Sequence, residues 1–282
     1  MSKKVAAIQM TSGMDLDQNL AMAQQLLEEA SAKGALLAVL PEMFPLLGQG
    51  EACTQAKRAI QEEKGHGKIQ DFLSAQAKRL NMWIVGGTIP VKSHEAHRSY
   101  AACLVYNAQG ENVAEYDKIH LFDAVLSDDE CYLESSATLP GNDIVVIDSP
   151  IGKIGLSVCY DMRFPELFRE MFRRGAQVFL IPAAFTVTTG QMHWEVLLRA
   201  RAIENFCYVV ASAEWGVHGG GRETFGDSMI VAPTGAIIDR LAAGVGVVIA
   251  DIDLDFIDRE RQKIPVHHHQ RIFPDVSSLK PR

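Results

Sequence analysis

Short apolar runs alternate with stretches of helical period along most of this chain. Apolar positions spaced three and four residues apart predict helices, whereas runs of about five apolar or β-branched residues predict buried strands. The helices predicted in this way span residues 17–32, 68–80, 165–174, 191–205 and 254–262. The predicted strands span residues 5–9, 36–40, 83–88, 101–106, 143–148, 154–158, 178–181, 208–212, 228–231 and 247–252.

Some of the predicted strands follow one another as hairpins. Residues 101–106 and 112–116, for example, flank the turn Asn-Ala-Gln-Gly at 107–110. Hairpins among alternating strands and helices predict an α/β fold with mixed sheets rather than a purely parallel sheet. No linker or repeat divides the sequence, so residues 1–282 are predicted to form a single domain. Residues 266–282 lack periodicity, and we expect them to be an extended C-terminal tail that packs on a partner subunit.

The composition is that of a folded globular protein, with 48% hydrophobic and 22% charged residues. The net charge of −8 argues against nucleic acid or an anionic membrane as the main partner. An anionic substrate is compatible with this charge, because a pocket can carry its own cations. No apolar stretch reaches the roughly 20 residues of a membrane span, and the apolar residues 5–8 are too few for a signal-peptide core. We therefore expect a cytoplasmic protein.

The pattern of cysteines and histidines predicts no metal site. The five cysteines are scattered without a CxxC pair, which is typical of reduced thiols rather than of a disulfide framework or a zinc site. The run His267-His268-His269 is also a poor metal site, because adjacent residues of an extended chain point to opposite faces.

Cys159 is the first candidate for chemistry. It follows the predicted strand 154–158 and precedes a predicted helix that starts near Pro165. At such an elbow we expect the thiol to be exposed at the sheet edge, close to a positive helix N-terminus that favours the thiolate. The alternative is a small buried apolar side chain, which is the usual role of a free cysteine.

Glu42 and Lys118 are two further candidates. Glu42 follows the predicted strand 36–40 at its carboxyl end, where ligand sites of layered α/β folds lie. Lys118 is surrounded in sequence by apolar and aromatic residues. Taken singly, each is more often a solvated side chain, because a loop glutamate faces water and a lysine extends its charge to solvent.

Taken together, these segments resemble the nitrilase (carbon–nitrogen hydrolase) superfamily. The matching sequences are Leu-Pro-Glu-Met-Phe at 40–44, Tyr-Asp-Lys-Ile-His-Leu-Phe-Asp at 116–123 and Cys-Tyr-Asp-Met-Arg-Phe-Pro-Glu at 159–166. The resemblance extends over nearly the whole chain, since residues 193–205 and 226–231 also fit. It implies a four-layer α-β-β-α sandwich that usually forms a homodimer and uses neither a metal nor an organic cofactor.

The resemblance also implies a mechanism with a Glu-Lys-Cys triad. Glu42 would be the general base, Cys159 the nucleophile that forms a thioester, and Lys118 with the backbone N–H of Tyr160 the oxyanion site. Glu134 matches a second glutamate of the family that orients the lysine or transfers a proton, although an ordinary loop carboxylate is the alternative. A Cys–His hydrolase that uses His120 or His193 as its base is the competing interpretation, and we interpret both histidines as structural.

Residues 182–195 resemble the branch of the family that hydrolyses side-chain amides of α-keto acids in metabolite repair. Deaminated glutathione is the favoured substrate, with α-ketoglutaramate (ω-amidase activity) and N-carbamoyl amino acids as alternatives. A true nitrilase is disfavoured, because such enzymes commonly have Trp where Tyr160 stands. A non-catalytic scaffold is the alternative from another class, and the complete triad argues against it.

The favoured small-molecule amides carry carboxylates, which require a cation in the pocket. Arg163 is the predicted carboxylate ligand, with Phe185 and Thr189 as pocket walls; a structural salt bridge to Glu166 is the alternative for Arg163. The sequence at 219–221 is Gly-Gly-Gly and lacks the spacing of a phosphate loop. That segment is richer in glycine than the family pattern, which leaves the width of the pocket open.

Overall fold

The computed structural model of the protein describes residues 3–127 and 130–273. The helices are α1 (Leu16–Ala32), α2 (Glu51–Ala59), α3 (Lys68–Leu80), α4 (Pro165–Arg173), α5 (Val187–Asn205), α6 (Leu254–Lys263) and α7 (Val266–His269). The strands are β1 (Lys4–Gln9), β2 (Leu37–Val39), β3 (Trp83–Val85), β4 (Ile89–Lys92), β5 (Ser99–Tyr106), β6 (Asn112–Asp117), β7 (Asp123–Val125), β8 (Cys131–Leu133), β9 (Thr138–Leu139), β10 (Val146–Ser149), β11 (Gly152–Leu156), β12 (Val178–Ala183), β13 (Tyr208–Ala213), β14 (Trp215–Val217), β15 (Glu223–Phe225), β16 (Ser228–Val231), β17 (Ile237–Leu241) and β18 (Gly246–Asp251).

The two large sheets are both mixed, as the hairpins in the sequence predict. The first has the order β18-β1-β2-β3-β5-β4, with β6 and β9 also paired to β5. Its strands β1, β2 and β3 are parallel to one another, whereas β18 is antiparallel to β1 and β5 is antiparallel to β3. The second has the order β10-β11-β12-β13-β16-β17, with a parallel centre at β11, β12 and β13. The carboxyl ends of the parallel strands β2 and β11 lead to Glu42 and Cys159, whereas Lys118 follows the antiparallel strand β6.

The alternation of side chains along β1 shows how the layers stack. Val5 and Ala7 belong to an apolar core shared with strands of the second sheet and with α4 and α5. Ala6 and Ile8 point to the opposite face, into a core formed with α1 and α3. Both faces of the first sheet are therefore covered, and the order of layers is helix, sheet, sheet, helix. The predicted four-layer α-β-β-α sandwich is confirmed.

The tail prediction is wrong for residues 266–269. These form the short helix α7, and Val266 packs against the apolar core that includes α4 and α5. Residues 274–282 of the predicted tail lie outside the described part of the chain. Within the described residues, none of the helices is long and apolar enough to cross a membrane. The assignment of the whole chain to one domain stays a prediction.

Candidate active site

Glu42 lies in a tight loop that follows β2. Met43, the next residue, has a φ of 59°, a left-handed conformation that costs a side-chain-bearing residue energy. Its backbone N–H donates to Thr88 Oγ1 at 2.9 Å, which anchors one side of the loop. Gly87 packs directly under the loop: a Cβ atom there would lie 1.9 Å from the carbonyl oxygen of Pro41. Only glycine therefore permits the close approach that places Glu42.

Lys118 follows β6 and is 1% exposed. Its Nζ lies 2.8 Å from Glu42 Oε1 and 3.0 and 2.8 Å from the two carboxylate oxygens of Glu134. Burial disfavours the ammonium, but the carboxylates of Glu134 and Glu42 outweigh it and raise the pKa of Lys118 well above its ordinary value. Lys118 is therefore a permanent cation between two carboxylates.

Glu134 is not a solvated loop carboxylate. It starts a single 3₁₀ turn after β8, and the backbone N–H of Phe122 donates to its Oε2 at 2.6 Å. Its side chain is thus fixed by the Lys118 ammonium on one side and by the chain that follows Lys118 on the other. This arrangement fits the orienting role that the resemblance implies for the second glutamate.

Cys159 sits at a sharp turn between the second sheet and α4. Its φ is 48°, and residues 159–163 form a 3₁₀ turn, so that α4 begins only at Pro165. The buried carboxylate of Asp161 holds this turn. It accepts hydrogen bonds from the Val158 N–H at 2.8 Å and the Tyr116 hydroxyl at 2.6 Å. Strain of this kind, paid for by surrounding hydrogen bonds, is typical of functional sites.

The prediction of an exposed thiolate at Cys159 is wrong. The residue is 8% exposed, and the backbone N–H of Ala184 donates to Glu42 Oε2 at 2.9 Å. Burial and the negative charge of Glu42 raise the pKa of Cys159 well above the ordinary value, because they outweigh the attraction of Lys118. Cys159 is also not at the helix N-terminus, because α4 begins only at Pro165. The resting side chain is a thiol, which needs a base to react.

The two histidines near this site are engaged in structural contacts. His120 Nδ1 lies 2.7 Å from Asp161 Oδ1, and its ring stacks on Phe164 with 3.7 Å between centroids. His193 Nδ1 lies 3.2 Å from Arg163 Nη1. Glu42 is the carboxylate whose charge acts on the Cys159 thiol, and it is the candidate base.

Glu42, Lys118, Glu134 and Cys159 line one cavity of about 450 Å³. That volume is within the range of small-molecule sites. Four side chains that can carry positive charge line it as well, and these are Lys57, Arg58, His97 and Arg222. The cavity is therefore suited to an anionic ligand, with the candidate nucleophile in its wall.

The structure does not bring the predicted substrate-binding side chains into this cavity. Arg163 lies against the rings of Tyr160 and Phe185, and its polar contact among the described residues is with His193 rather than with Glu166. Phe185 is 3% exposed and packs on Trp194, while the Thr189 hydroxyl contacts that of Thr186 at the start of α5. The chain after β12 enters α5 at once, so these side chains fill the space between the helix and the second sheet.

The comparisons with known proteins agree with this geometry. The sequence profile of the family described as carbon-nitrogen hydrolase matches residues 4–262. The chain belongs to this family. It is a carbon–nitrogen hydrolase that acts on amides, and the resemblance found in the three short sequences is confirmed.

Relatives of this hydrolase match along most of their length. A deaminated glutathione amidase of Synechocystis sp. is 40% identical over 95% of this chain and 97% of that protein. The human deaminated glutathione amidase is 39% identical over 96% of this chain and 83% of that protein. Among solved structures, the Caenorhabditis elegans NitFhit protein has a TM-score of 0.88 and 37% identity, covering 96% of this chain and 65% of that one. Saccharomyces cerevisiae Nit3, a member of branch 10 of the nitrilase superfamily, has a TM-score of 0.84 and 30% identity, covering 96% and 97%.

Sequence reasoning missed the cations that line the cavity of the hydrolase. Lys57 and Arg58 lie on α2, a helix that was not predicted because Cys53 is its one buried residue. Arg222 follows the glycine run 219–221, whose backbone pairs with the loop after Glu42: the Gln49 N–H donates to the Gly219 carbonyl at 3.0 Å. In the sequence, the pair Lys57-Arg58 and the single Arg222 are weak signals of a binding site, because only the fold brings them together.

Proposed function

We propose that this hydrolase cleaves the amide bond of deaminated glutathione through a thioester on Cys159. One observation carries the mechanism: the buried side chains of Glu42, Lys118 and Cys159 meet in the wall of a single cavity. The substrate follows from the relatives named deaminated glutathione amidase, which match nearly the whole chain at 37–40% identity.

The first half of the reaction forms the thioester. Glu42 takes the proton of the Cys159 thiol while the sulfur attacks the amide carbon, because the raised pKa of Cys159 excludes a free thiolate. The oxyanion that forms is stabilised by the Lys118 ammonium and the backbone N–H of Tyr160. Glu42 then gives the proton to the nitrogen, the C–N bond breaks, and cysteinylglycine leaves as the amine.

The second half of the reaction hydrolyses the thioester. Glu42 takes a proton from water as the water oxygen attacks the thioester carbon, and the C–S bond breaks. The proton returns to the sulfur, α-ketoglutarate leaves, and Cys159 is again a thiol. Lys118 is not the base in either half, because its two carboxylate neighbours keep it protonated. Glu134 is a positioning residue that holds the Lys118 ammonium in place.

The two carboxylates of the substrate are recognised by the cations of the cavity. Burial and the neighbouring Arg222 lower the pKa of Lys57. A bound anion would therefore relieve the repulsion between the Lys57 and Arg222 cations. The polar contact of the Lys57 ammonium among the described residues is with Met43 Sδ at 3.4 Å. Arg222 lies over the ring of Tyr132 and leaves its buried Nε without a hydrogen bond in the described part of the chain. These are the groups we assign to the carboxylates, in place of Arg163.

A homodimer and a cytoplasmic location belong to the same proposal. Met192, Val196 and Ile203 follow one another on α5 at spacings of four and seven residues, which places them on one face of the helix, and they are 58%, 67% and 45% exposed. An apolar stripe of this kind fits the same helix of a second copy of the chain. The cysteines are all free, which suits a reducing compartment. Light scattering of the protein and of Val196→Glu tests the dimer, and an unchanged mass in the variant would overturn this interface.

The test of the substrate compares deaminated glutathione with α-ketoglutaramate and an N-carbamoyl amino acid, with Cys159→Ala as the blank. The first substrate should release α-ketoglutarate and the thiol of cysteinylglycine, whereas the second releases ammonia. We expect the highest kcat/KM for deaminated glutathione. A preference for α-ketoglutaramate would show an ω-amidase instead. If none is turned over while an electrophilic carbonyl still labels Cys159, the thiol chemistry stands and the substrate assignment is wrong.

A further inference from the structure

A buried polar cluster behind the loop of Glu42 is not used by the mechanism above. Glu214 follows β13 and is 0% exposed, as is Ser12. Ser12 donates its backbone N–H to Glu214 Oε2 at 2.9 Å, and its hydroxyl oxygen lies 2.6 Å from Glu214 Oε1. The same hydroxyl oxygen lies 2.8 Å from the carbonyl oxygen of Phe44, two residues after Glu42.

The number of protons in this cluster decides its ionisation state. A hydroxyl group has a single proton to donate, and the carbonyl of Phe44 can only accept. Suppose that the Ser12 hydroxyl donates its proton to the Phe44 carbonyl. An ionised Glu214 would then have no proton to share with the hydroxyl oxygen, and lone pairs of the two oxygens would face each other across 2.6 Å. The contact is favourable when the proton lies on Glu214, which then donates to Ser12 Oγ and accepts from the Ser12 N–H.

Among residues 3–127 and 130–273, Glu214 forms no salt bridge, and the neighbouring His218 supplies no charge. His218 contacts the same serine from the other side: its Nδ1 lies 2.7 Å from the Ser12 carbonyl oxygen and its Nε2 lies 2.6 Å from Thr224 Oγ1. The first contact requires an N–H on Nδ1, and a neutral ring completes the second by accepting from the threonine. Burial lowers the pKa of His218 to about 4, so the ring is uncharged at neutral pH.

The other charged groups near Glu214 are Arg222 and Glu42. Burial raises the pKa of Glu214 to about 8, with a further increase from the negative charge of Glu42. The hydrogen bonds from Ser12 and the charge of Arg222 act in the opposite direction and do not offset the burial. The raised pKa of Glu214 agrees with the hydrogen-bond argument, which also places a proton on this carboxyl group.

We infer that Glu214 is a neutral carboxylic acid in the working enzyme, and that its proton fixes the Ser12 hydroxyl on the Phe44 carbonyl and thereby positions Glu42. The loop that carries Glu42 is then held from two sides, by Thr88 at Met43 and by Ser12 at Phe44. When Glu214 ionises, the Ser12 hydroxyl turns to the new carboxylate and the Phe44 carbonyl loses its donor. A second negative charge also appears close to Glu42, which makes Glu42 harder to keep ionised. Glu214 is thus a positioning residue, independent of which amide is the substrate.

The test uses Glu214→Gln, which keeps both hydrogen bonds but cannot ionise. Its amide NH₂ donates to Ser12 Oγ and its oxygen accepts from the Ser12 N–H. We expect kcat of the wild-type enzyme to fall above about pH 8 and this alkaline decline to be absent from Glu214→Gln. Glu223→Gln, which removes an exposed acid from the same segment, is the matched control and should keep the decline. An identical decline in both variants would overturn the inference.

Two further measurements separate this role from a general effect on folding. Ser12→Ala removes the link to Phe44 and should lower kcat roughly tenfold to a hundredfold at every pH, with little change in KM. Infrared difference spectra of wild type against Glu214→Gln need neither substrate nor turnover. They should show the carbonyl band of a protonated carboxylic acid at neutral pH, which is lost above about pH 8. Absence of that band would overturn the inference even if Ser12→Ala fails to fold.

Discussion

Lys118 and Glu42 form a buried ion pair, with Nζ 2.8 Å from Oε1 and side chains that are 2% and 3% exposed. A pair of this kind costs desolvation when it forms, but removal of one partner leaves an uncompensated charge in the interior. Here the removal of Lys118 would leave two such charges, since Glu134 depends on the same ammonium. The pair therefore supplies the catalytic cation, and the fold loses stability if one partner is removed.

Lys118→Met should abolish turnover and lower the free energy of unfolding by about 3–5 kcal/mol. Urea denaturation at neutral pH measures the second effect. Lys64→Met is the matched control, because Lys64 makes its 2.8 Å contact with Glu115 while 75% exposed, and we expect a change below about 1 kcal/mol there. Equal stability losses in the two variants would show that the buried ion pair contributes no more to stability than the exposed one.

Glu42→Gln should lower the pKa of Cys159. Burial is the main cause of the raised pKa and stays in place, but the negative charge that adds to it is removed while Lys118 remains. The difference in ultraviolet thiolate absorbance between each protein and its Cys159→Ala counterpart gives the titration. A wild-type Cys159 that is already a thiolate at neutral pH would contradict the role of Glu42 as base.

Lys57→Met and Arg222→Met should raise KM for a dicarboxylate substrate with a smaller effect on kcat. A lost charged hydrogen bond is worth about 1.5–3 kcal/mol, so we expect an increase in KM of about tenfold or more. Arg163→Met tests the assignment made from the sequence and should leave KM near the wild-type value, because that side chain lies outside the cavity. If Arg163→Met alone raises KM, the carboxylate site is on the α4 side.

Glu214→Gln should remove a dependence of stability on pH. The folded protein keeps the Glu214 proton up to about pH 8, whereas the unfolded chain releases it near the ordinary value of 4.5. Between these values the native state binds more protons, so its free energy of unfolding falls as the pH rises, by at most ~1.4 kcal/mol per pH unit. Denaturation at several pH values between about 5 and 8 gives the stability difference between the variant and wild type. A constant difference would contradict a proton on Glu214.

Regular elements with a strong apolar period were predictable from the sequence. The bounds of α3 and β16 match the predicted ones, because the buried positions of α3 follow the helical period and β16 is a short run of four buried residues. α2 was missed because most of its residues are exposed. The hairpin of β14 and β15 was missed because its apolar residue Val217 is 63% exposed and lies in a glycine-rich segment.

The candidate site was predictable as far as it depends on strand ends. Glu42, Lys118 and Cys159 each follow a strand, so a layered fold brings them to one edge. The direction of the Arg163 side chain depends on the 3₁₀ turn at 159–163, which no periodicity reveals. Lys57 and Arg222 are far apart in sequence and meet only because the loop 219–221 packs on the loop after Glu42. The state of Glu214 likewise required the positions of Ser12 and Phe44.

The exposure of the five cysteines has a practical consequence for labelling. Cys131 lines the cavity and is exposed, whereas Cys53, Cys103, Cys159 and Cys207 are buried. Burial also raises the pKa of Cys207 to about 12, which makes that thiol inert to alkylation. A fluorescent maleimide would therefore attach at Cys131 first, without any engineered cysteine. The natural sequence thus already contains a reporter position in the wall of the cavity that we propose binds the substrate.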